Sequence, residues 1–515
     1  HPADGIRDAQ ESRWLGDVYK RQNIHMGKSV DRSDQSPKRW SNMILIALGQ
    51  SKMINRPISG LLHIVVYVGF LVINIELLEI ILDGLFGTHR VFAPYLGSAY
   101  DILIASFEFL AVIVLISVVV FWLRRNALKI KRFWKPELKG WPKKDANYIL
   151  YFEIVLMTLF LLMNATDMLL QQSDEHHYTE AGFFPVSQFI APLFASFSVD
   201  TLVLLERIFW WSHISGILIF LNYLFYSKHL HILLAFPNTY YQNLNPKGKL
   251  ANNEVVTREV KLMMDPNSDP YAVTGEDTVT EKFGASDVTD LNWVQLMNAY
   301  TCTECGRCTD ECPANQTGKL LSPRKIMMDT RDRLEEVGNN INRNGTFSDD
   351  GKQLLHDYIT PEELWACTSC NACVETCPIG IDPLSIIMDM RQYLVMEQSA
   401  APSDLNNMMS NIENNLNLDK TLLILDDDDV FRNRLVTAMK RKGYEAYGVA
   451  SVKEAKSSLS EKFPKYAVVD LRLDDGNGLE IVSLLSKQRS DSKIVMPVSY
   501  THLRAHETPE HLVCR

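Results

Sequence analysis

Residues 365–378 read WACTSCNACVETCP, and residues 302–313 read CTECGRCTDECP. Both stretches follow C-x2-C-x2-C-x3-C-P, and they hold eight of the nine cysteines, leaving only Cys514 apart. A disulfide framework would spread its cysteines over a small secreted domain, so this clustering points to metal ligation in a reducing compartment. Thiolates two residues apart in a tight loop reach neighbouring irons of one cubane, and this run is the bacterial-type [4Fe-4S] spacing, in which the fourth cysteine serves the other cluster. The spacing therefore predicts one cubane on Cys302, Cys305, Cys308 and Cys377 and a second on Cys367, Cys370, Cys373 and Cys312. Two zinc knuckles are the alternative, but structural zinc sites usually pair two C-x2-C units across a longer gap. Two cubanes with no open iron make an electron relay.

What lies before the cysteines says where the relay sits. Three apolar stretches, 61–82, 102–123 and 148–170, each reach the roughly 20 helical residues that cross a bilayer. A fourth apolar zone, 183–236, is long enough for two more crossings. The loop 124–144 carries nine Lys or Arg and one acid, whereas QQSDEHHYTEAG after the third stretch carries neither Lys nor Arg. The positive-inside rule puts the first loop in the cytoplasm and the second outside. Two crossings in the fourth zone would carry the cysteines outside, so one crossing at 208–235 is preferred, with PVSQFIAPLFASFSVDTLVLLE as a folded external or re-entrant segment. Four spans are expected, with five as the alternative. The net charge of -10 argues against a nucleic-acid surface.

The last span as read, WWSHISGILIFLNYLFYSKHLHILLAFP, sets His213 and His231 18 residues apart, five turns along one face of a continuous helix, with His229 opposite. That spacing suits two haems near the two membrane surfaces. Glu76 and Glu79 sit among apolar residues of the first span, where a carboxylate is costly; they mark a proton path or quinol pocket, or pair with Asn164 or Asp167 inside the bundle.

These residues resemble known families. The cysteine region, with helices in the 54 residues between Cys312 and Cys367, resembles the helical ferredoxin domains of the heterodisulfide reductase and anaerobic glycerol-3-phosphate dehydrogenase families. The histidine pattern before a proline resembles the last haem-bearing helix of the nitrate reductase gamma subunit family and of the cytochrome b subunit of heterodisulfide reductase. The resemblance implies one or two haems b with opposing ligands from a second helix; His63, at the cytoplasmic start of the first span, is the partner for His231, and His89, just beyond that span on the external side, is the candidate for His213. The family pattern wants a histidine ten residues after His63, where this chain has Ile73. It also implies traffic with quinone or quinol and with a CCG-domain or flavin-containing oxidoreductase subunit; no CCG motif occurs in this chain.

After residue 415 the pattern changes to alternating strand and helix. TLLILDDDD and YAVVDLRLDDGNGLEIV resemble the receiver domain of response regulators, a flavodoxin-like fold in which Asp426 and Asp427 would hold Mg2+ and Asp470 would accept phosphate. The resemblance stops after KIVM: no hydroxyl residue or lysine follows in the receiver pattern. The tail PVSYTHLRAHETPEHLVCR and the opening GIRDAQESRWLGDVYKRQ resemble translated sequencing adapters, which makes 1–22 and 498–515 artefacts on this reading.

The expected organisation is a mainly α protein. An N-terminal cytoplasmic segment, 23–55, precedes a transmembrane haem b-type bundle of four or five helices at 56–237. A neck at 238–289 leads to an α-helical dicluster ferredoxin domain at 290–400. A linker at 401–418, read as a chimeric junction, precedes a truncated α/β receiver at 419–497. The expected function is a membrane-anchored electron-transfer subunit of a bacterial inner membrane, with clusters facing the cytoplasm. The alternative is redox-linked signalling through Asp470.

Overall fold

A computed structural model describes residues 19–173, 177–246, 248–250, 252–253, 256–257, 261, 282–414, 420–461, 463–489 and 492–496. Most of the stretches read as artefact, and much of the neck, lie outside these residues. The chain divides into two compact units, 1–398 and 399–515.

Among the described residues, four helices are long and apolar enough to cross a membrane: α1 Pro57–Phe86, α2 Ser98–Asn126, α3 Trp141–Gln171 and α4 Val199–Leu224. Proline in the first turn opens α1, where its missing N–H costs nothing, and Gly87 at φ 67 closes it. Isoleucine, leucine and phenylalanine stay exposed along all four helices, as in Ile75, Leu78, Ile102, Ile116, Val155 and Leu204. In water such faces would drive aggregation; hydrocarbon solvates them, and each backbone group is bonded within its own helix. The inward faces meet through small residues: a Cβ on Gly69 would lie 2.5 Å from Val114 of α2, and one on Gly216 2.8 Å from Leu156 of α3. Such close approach is how helices associate where no hydrophobic drive separates them from lipid.

The fourth span differs from the sequence expectation. It begins at Val199, with the Ser198 hydroxyl accepting from Thr201 N–H, and ends at Leu224. The chain then turns through Ser227, in extended conformation, and Lys228–Leu230 before a separate helix, α5 His231–Tyr240. His213 and His231 are therefore not on one continuous helix, and the five-turn argument does not hold for them. The break has a local cause: the Ser227 hydroxyl accepts from His229 N–H at 3.0 Å, and a serine that caps a new turn competes with continuation of the old one. The segment before Val199, expected as external or re-entrant, contains two short helical turns, Ser187–Phe189 and Ala191–Leu193.

The cysteine-bearing part is built on α6 Trp293–Thr301, α7 Pro323–Asn344 and α8 Pro383–Met396. Asn292 and Gln295 cap α6 reciprocally, and Ser322 caps α7 ahead of its proline. Within this first unit the cluster-bearing helices sit against the basic loop that follows α2. Arg324, fully buried, donates to the Arg132 carbonyl and to Glu137, both at 2.7 Å. Lys135 reaches Asn315 at 3.1 Å, and Arg56 pairs with Asp310 at 3.1 Å and Glu311 at 3.0 Å. Burial pushes the Glu137 carboxyl up, but hydrogen bonds from Arg324 and Ser322 outweigh it and hold it below its usual value. Breaking such a buried pair by removing one partner typically costs about 3–5 kcal/mol, so Arg324 fastens the cysteine loops to the membrane helices. At the other end, Tyr19 and Lys20, inside the stretch read as artefact, reach the Glu335 carbonyl at 2.9 Å and the Glu335 carboxylate at 3.6 Å.

Among the described residues the second unit has a four-stranded parallel sheet, β1 Thr421–Leu425, β2 Glu445–Val449, β3 Tyr466–Val469 and β4 Lys493–Val495, in the order β2-β1-β3-β4. Every residue of β1 is buried, which is why it reads as a continuous apolar run.

Candidate functional site: two cysteine loops and a histidine cluster

The two cysteine loops repeat in backbone as well as in spacing. Counting from the first cysteine, the second and fourth residues onward are left-handed in both: Glu304 (φ 57) and Gly306 (φ 75), then Ser369 (φ 56) and Asn371 (φ 61). Three non-glycine residues held there mark a backbone shaped by function. A Cβ on Gly306 would lie 2.5 Å from the buried Arg324 guanidinium, which favours glycine in the first loop; the second has Asn371 at that place.

None of the eight cysteines at these loops is in a disulfide. Cys377 lies within electrostatic reach of Cys305 and Cys308, and lines one cavity with Cys302, Cys305, Cys308 and Cys373. Cys312 lies within reach of Cys367, Cys370 and Cys373. The last cysteine of each loop therefore lies near cysteines of the other loop. Around a single zinc with bonds of about 2.3 Å, sulfurs would stand about 3.8 Å apart. Among the described residues no three cysteine sulfurs all lie within 4.8 Å of one another. Burial pushes the Cys302 thiol up to about 12 and those of Cys308 and Cys373 well above the usual value. Such sulfurs ionise only with a cation among them. Backbone N–H groups of Ser369 and Ile381 donate to the sulfurs of Cys367 and Cys377 at 3.4 Å, the contacts that tune cluster potentials.

The loops differ in exposure. Cys302, Glu304, Gly306, Arg307, Thr309 and Cys312 of the first are buried, whereas residues 365–372 of the second are half-buried with Thr368 exposed. The first loop is turned to the membrane helices: Glu304 accepts from Lys228, in the turn after α4, and from Arg331 at 2.8 Å. Burial pushes the Glu304 carboxyl up, and these two cations bring it below its ordinary value.

On the same side of the bundle, the rings of His63, in α1, and His231 stand 6.4 Å apart between centroids. An iron between two imidazoles would space their centroids about 6.3 Å apart, given metal–nitrogen bonds near 2 Å. His231 Nδ1 is bonded to the Lys228 carbonyl at 3.1 Å, which leaves Nε2 for a metal, and His63 Nδ1 is buried without a partner. The two rings are close enough that both would reach one metal centre. His229 lies beside it, 5.6 Å from His231, rather than facing away. His213 is buried against Phe160, its Nδ1 bonded to the Leu156 carbonyl at 3.1 Å. The sequence-based partner of His213 is committed elsewhere: His89 Nε2 bonds Asp167 at 2.7 Å and Nδ1 accepts from Thr179 N–H at 3.2 Å. Neither nitrogen of His89 is left for iron.

His89 belongs to a buried polar network at the other end of the bundle. Arg90 donates to Asp167 at 2.7 Å and Asn164 at 3.0 Å, and Tyr100 donates to Glu79 at 2.8 Å. Glu79 is thus paired, though with Tyr100 and the Phe92 N–H rather than with Asn164 or Asp167. Both oxygens of Glu76 are buried without a hydrogen-bond partner, 3.6 Å being its nearest approach to Arg90. Sequence reasoning missed Arg90 and Lys228; a cation bordering an apolar helix whose neighbour carries buried acids was the available sign of each.

In the second unit, carboxylate oxygens of Asp426, Asp427 and Asp470 all lie within 4.8 Å of one another at the ends of β1 and β3, a spacing that suits a divalent cation. Burial pushes the Asp426 carboxyl up, and the charges of Asp470 and Asp427 add to it.

Fold and site together define a membrane protein that carries an iron–sulfur domain and, in its second unit, a receiver. Residues 301–381 match the family of 4Fe-4S dicluster domains, and residues 422–508 match the response regulator receiver domain. Over 419 residues, 76% of this chain and 54% of the relative, the sequence is 26% identical to the "Probable iron-sulfur-binding oxidoreductase FadF" of Bacillus subtilis. It is 27% identical over 413 residues, 75% of this chain and 53% of the relative, to the "EtfAB:quinone oxidoreductase" of Syntrophomonas wolfei. The chain spans about half the length of these two relatives. The second unit is similar to the "Photosynthetic apparatus regulatory protein RegA" of Cereibacter sphaeroides, 45% identical over 85 residues, 16% of this chain and 46% of the relative. No solved structure matches the chain.

Proposed function

We propose that the first unit is the membrane and cluster-bearing part of an oxidoreductase that passes electrons between a quinone pool and two [4Fe-4S] clusters through haem b, in a bacterial inner membrane with the clusters facing the cytoplasm. The observation that carries this reading is the 6.4 Å pairing of His63 with His231 on the same side of the bundle as the first cysteine loop. The iron–sulfur clusters and haem, when bound, supply one-electron carriers; the chain's residues space and insulate them. His63 and His231 would hold one haem, a smaller count than two because His89, the imidazole expected opposite His213, is bonded through both nitrogens. Cys302, Cys305, Cys308 and Cys377 would hold the cluster nearer the membrane, and Cys367, Cys370, Cys373 and Cys312 the outer one. The half-exposed second loop is then the face offered to a CCG-domain or flavin-containing partner. The relative named for EtfAB and quinone supports both ends of this path, and the heterodisulfide-reductase-like and nitrate-reductase-gamma-like resemblance supports the middle. The basic loop 124–144 packs on the cluster-bearing helices, which supports a cytoplasmic position for both.

Protein purified from membranes should contain about eight irons and eight labile sulfides per chain and show a b-type band in the reduced-minus-oxidised spectrum. A quinone analogue should discharge that band. Iron without the band would remove the haem and quinone part of the proposal.

The acidic triple supports a second reading for the second unit alone, a phosphorelay receiver with Mg2+ at Asp426 and Asp427. Acetyl phosphate should label it at Asp470, and Asp470→Asn should abolish the label; equal labelling of both proteins would sink this reading. The two units have relatives of different kinds, which favours a junction between two genes at 401–418. Amplification of source DNA across 405–425 decides it, because an uninterrupted native product overturns the junction.

A further inference from the structure

We infer that Lys228 is a positioning residue that fastens His231 and the first cysteine loop to one turn of chain, and that its charge sets the redox potentials of both centres together. This rests on the haem and cluster assignment above.

Lys228 is held at three points. Its N–H donates to Asp145 Oδ2 at 3.1 Å, its carbonyl accepts from His231 Nδ1 at 3.1 Å, and its ammonium reaches Glu304 and the Pro142 carbonyl, the latter at 2.8 Å. Asp145, 3.9 Å from the ammonium, is itself fixed by the Tyr223 hydroxyl at 2.5 Å. The Lys228 side chain is only 8% exposed and that of Glu304 only 2%. A buried ammonium is costly unless paired and hydrogen-bonded, and here two carboxylates and a carbonyl meet it. Glu304 stands between Cys302 and Cys305 in a left-handed conformation, its other oxygen held by Arg331 at 2.8 Å. The same residue thus orients an imidazole through its backbone and a cysteine loop through its side chain. Partners behind a metal-bound histidine fix its tautomer and basicity, and their loss typically costs 10–100-fold. A cation favours the reduced form of each neighbouring centre, strongly so in a dry interior.

The test uses the full chain purified from membranes, with haem potential followed by absorbance and cluster potentials by electron paramagnetic resonance. In Lys228→Met, which keeps the carbonyl that His231 bonds and loses only the charge, the haem and one cluster should shift to lower potential and the other cluster should stay. Lys228→Arg should restore both potentials, and Glu304→Gln should move the same two centres upward. A Lys228→Met protein in which neither centre moves, or only one does, overturns the inference. If that variant fails to accumulate, Glu304→Gln decides by the same criterion. A parent protein with no b-type band sinks the haem assignment instead, whereas a loaded parent with unshifted variants sinks only the role of Lys228.

Discussion

Cys377→Ala should remove the cluster that belongs to residues 302–308, not the one held by its sequence neighbours, and should lower iron by about four per chain. Cys377 lines a cavity with Cys302, Cys305, Cys308 and Cys373, while Cys312 lies within electrostatic reach of Cys367, Cys370 and Cys373. The check is a comparison of paramagnetic resonance spectra across four single variants. Cys377→Ala should leave the same residual spectrum as Cys308→Ala, and Cys312→Ala the same as Cys370→Ala. If Cys377→Ala instead pairs with Cys370→Ala, each loop keeps its own four cysteines and the crossed arrangement is wrong. Removing a thiolate that no neighbour can replace leaves an iron without its ligand at a site where burial pushes free thiols up, so the effect is loss of a centre and not a modest shift.

Much of this site was legible because its chemistry is local. Cysteine spacing within one loop is set by a few backbone angles, and the left-handed residues at Glu304, Gly306, Ser369 and Asn371 are that spacing expressed in φ. The four spans were legible for a similar reason, since length and apolar composition are nearly the whole requirement of a bilayer. The histidines were harder. Their reading assumed one unbroken helix from Trp210 to Pro237, and apolar composition gave no warning that Ser227 would start a new turn. His89 sits at a depth that suits a ligand, but its fate is decided by Asp167 and the Thr179 N–H, which come from distant parts of the chain. The salt links of Lys228 with Glu304 and of Arg324 with Glu137 span 76 and 187 residues, beyond any pattern with a period.

The histidine variants carry the other large effect. His63→Ala and His231→Ala should each abolish the b-type band, whereas His213→Ala and His89→Ala should retain it. His63 belongs to α1 and His231 to α5, so a haem between them would be held only if both imidazoles are present; with one gone, the remaining axial bond must keep the cofactor alone. His231 is the better prepared of the two, because its Nδ1 is already bonded to the Lys228 carbonyl. His63 has a buried Nδ1 without a partner, a cost that a strong bond at the other ring nitrogen would offset. His213 has its Nδ1 satisfied and its ring packed on Phe160, so its removal should cost stability through lost packing without discharging the spectrum. His89 is anchored to Asp167, and its loss should loosen the polar end of the bundle only. The four proteins, matched for cluster content, are compared by reduced-minus-oxidised spectra. A band that survives in His63→Ala and disappears in His213→Ala would move the haem to the other side of the bundle and leave the path to the first cysteine loop without its carrier.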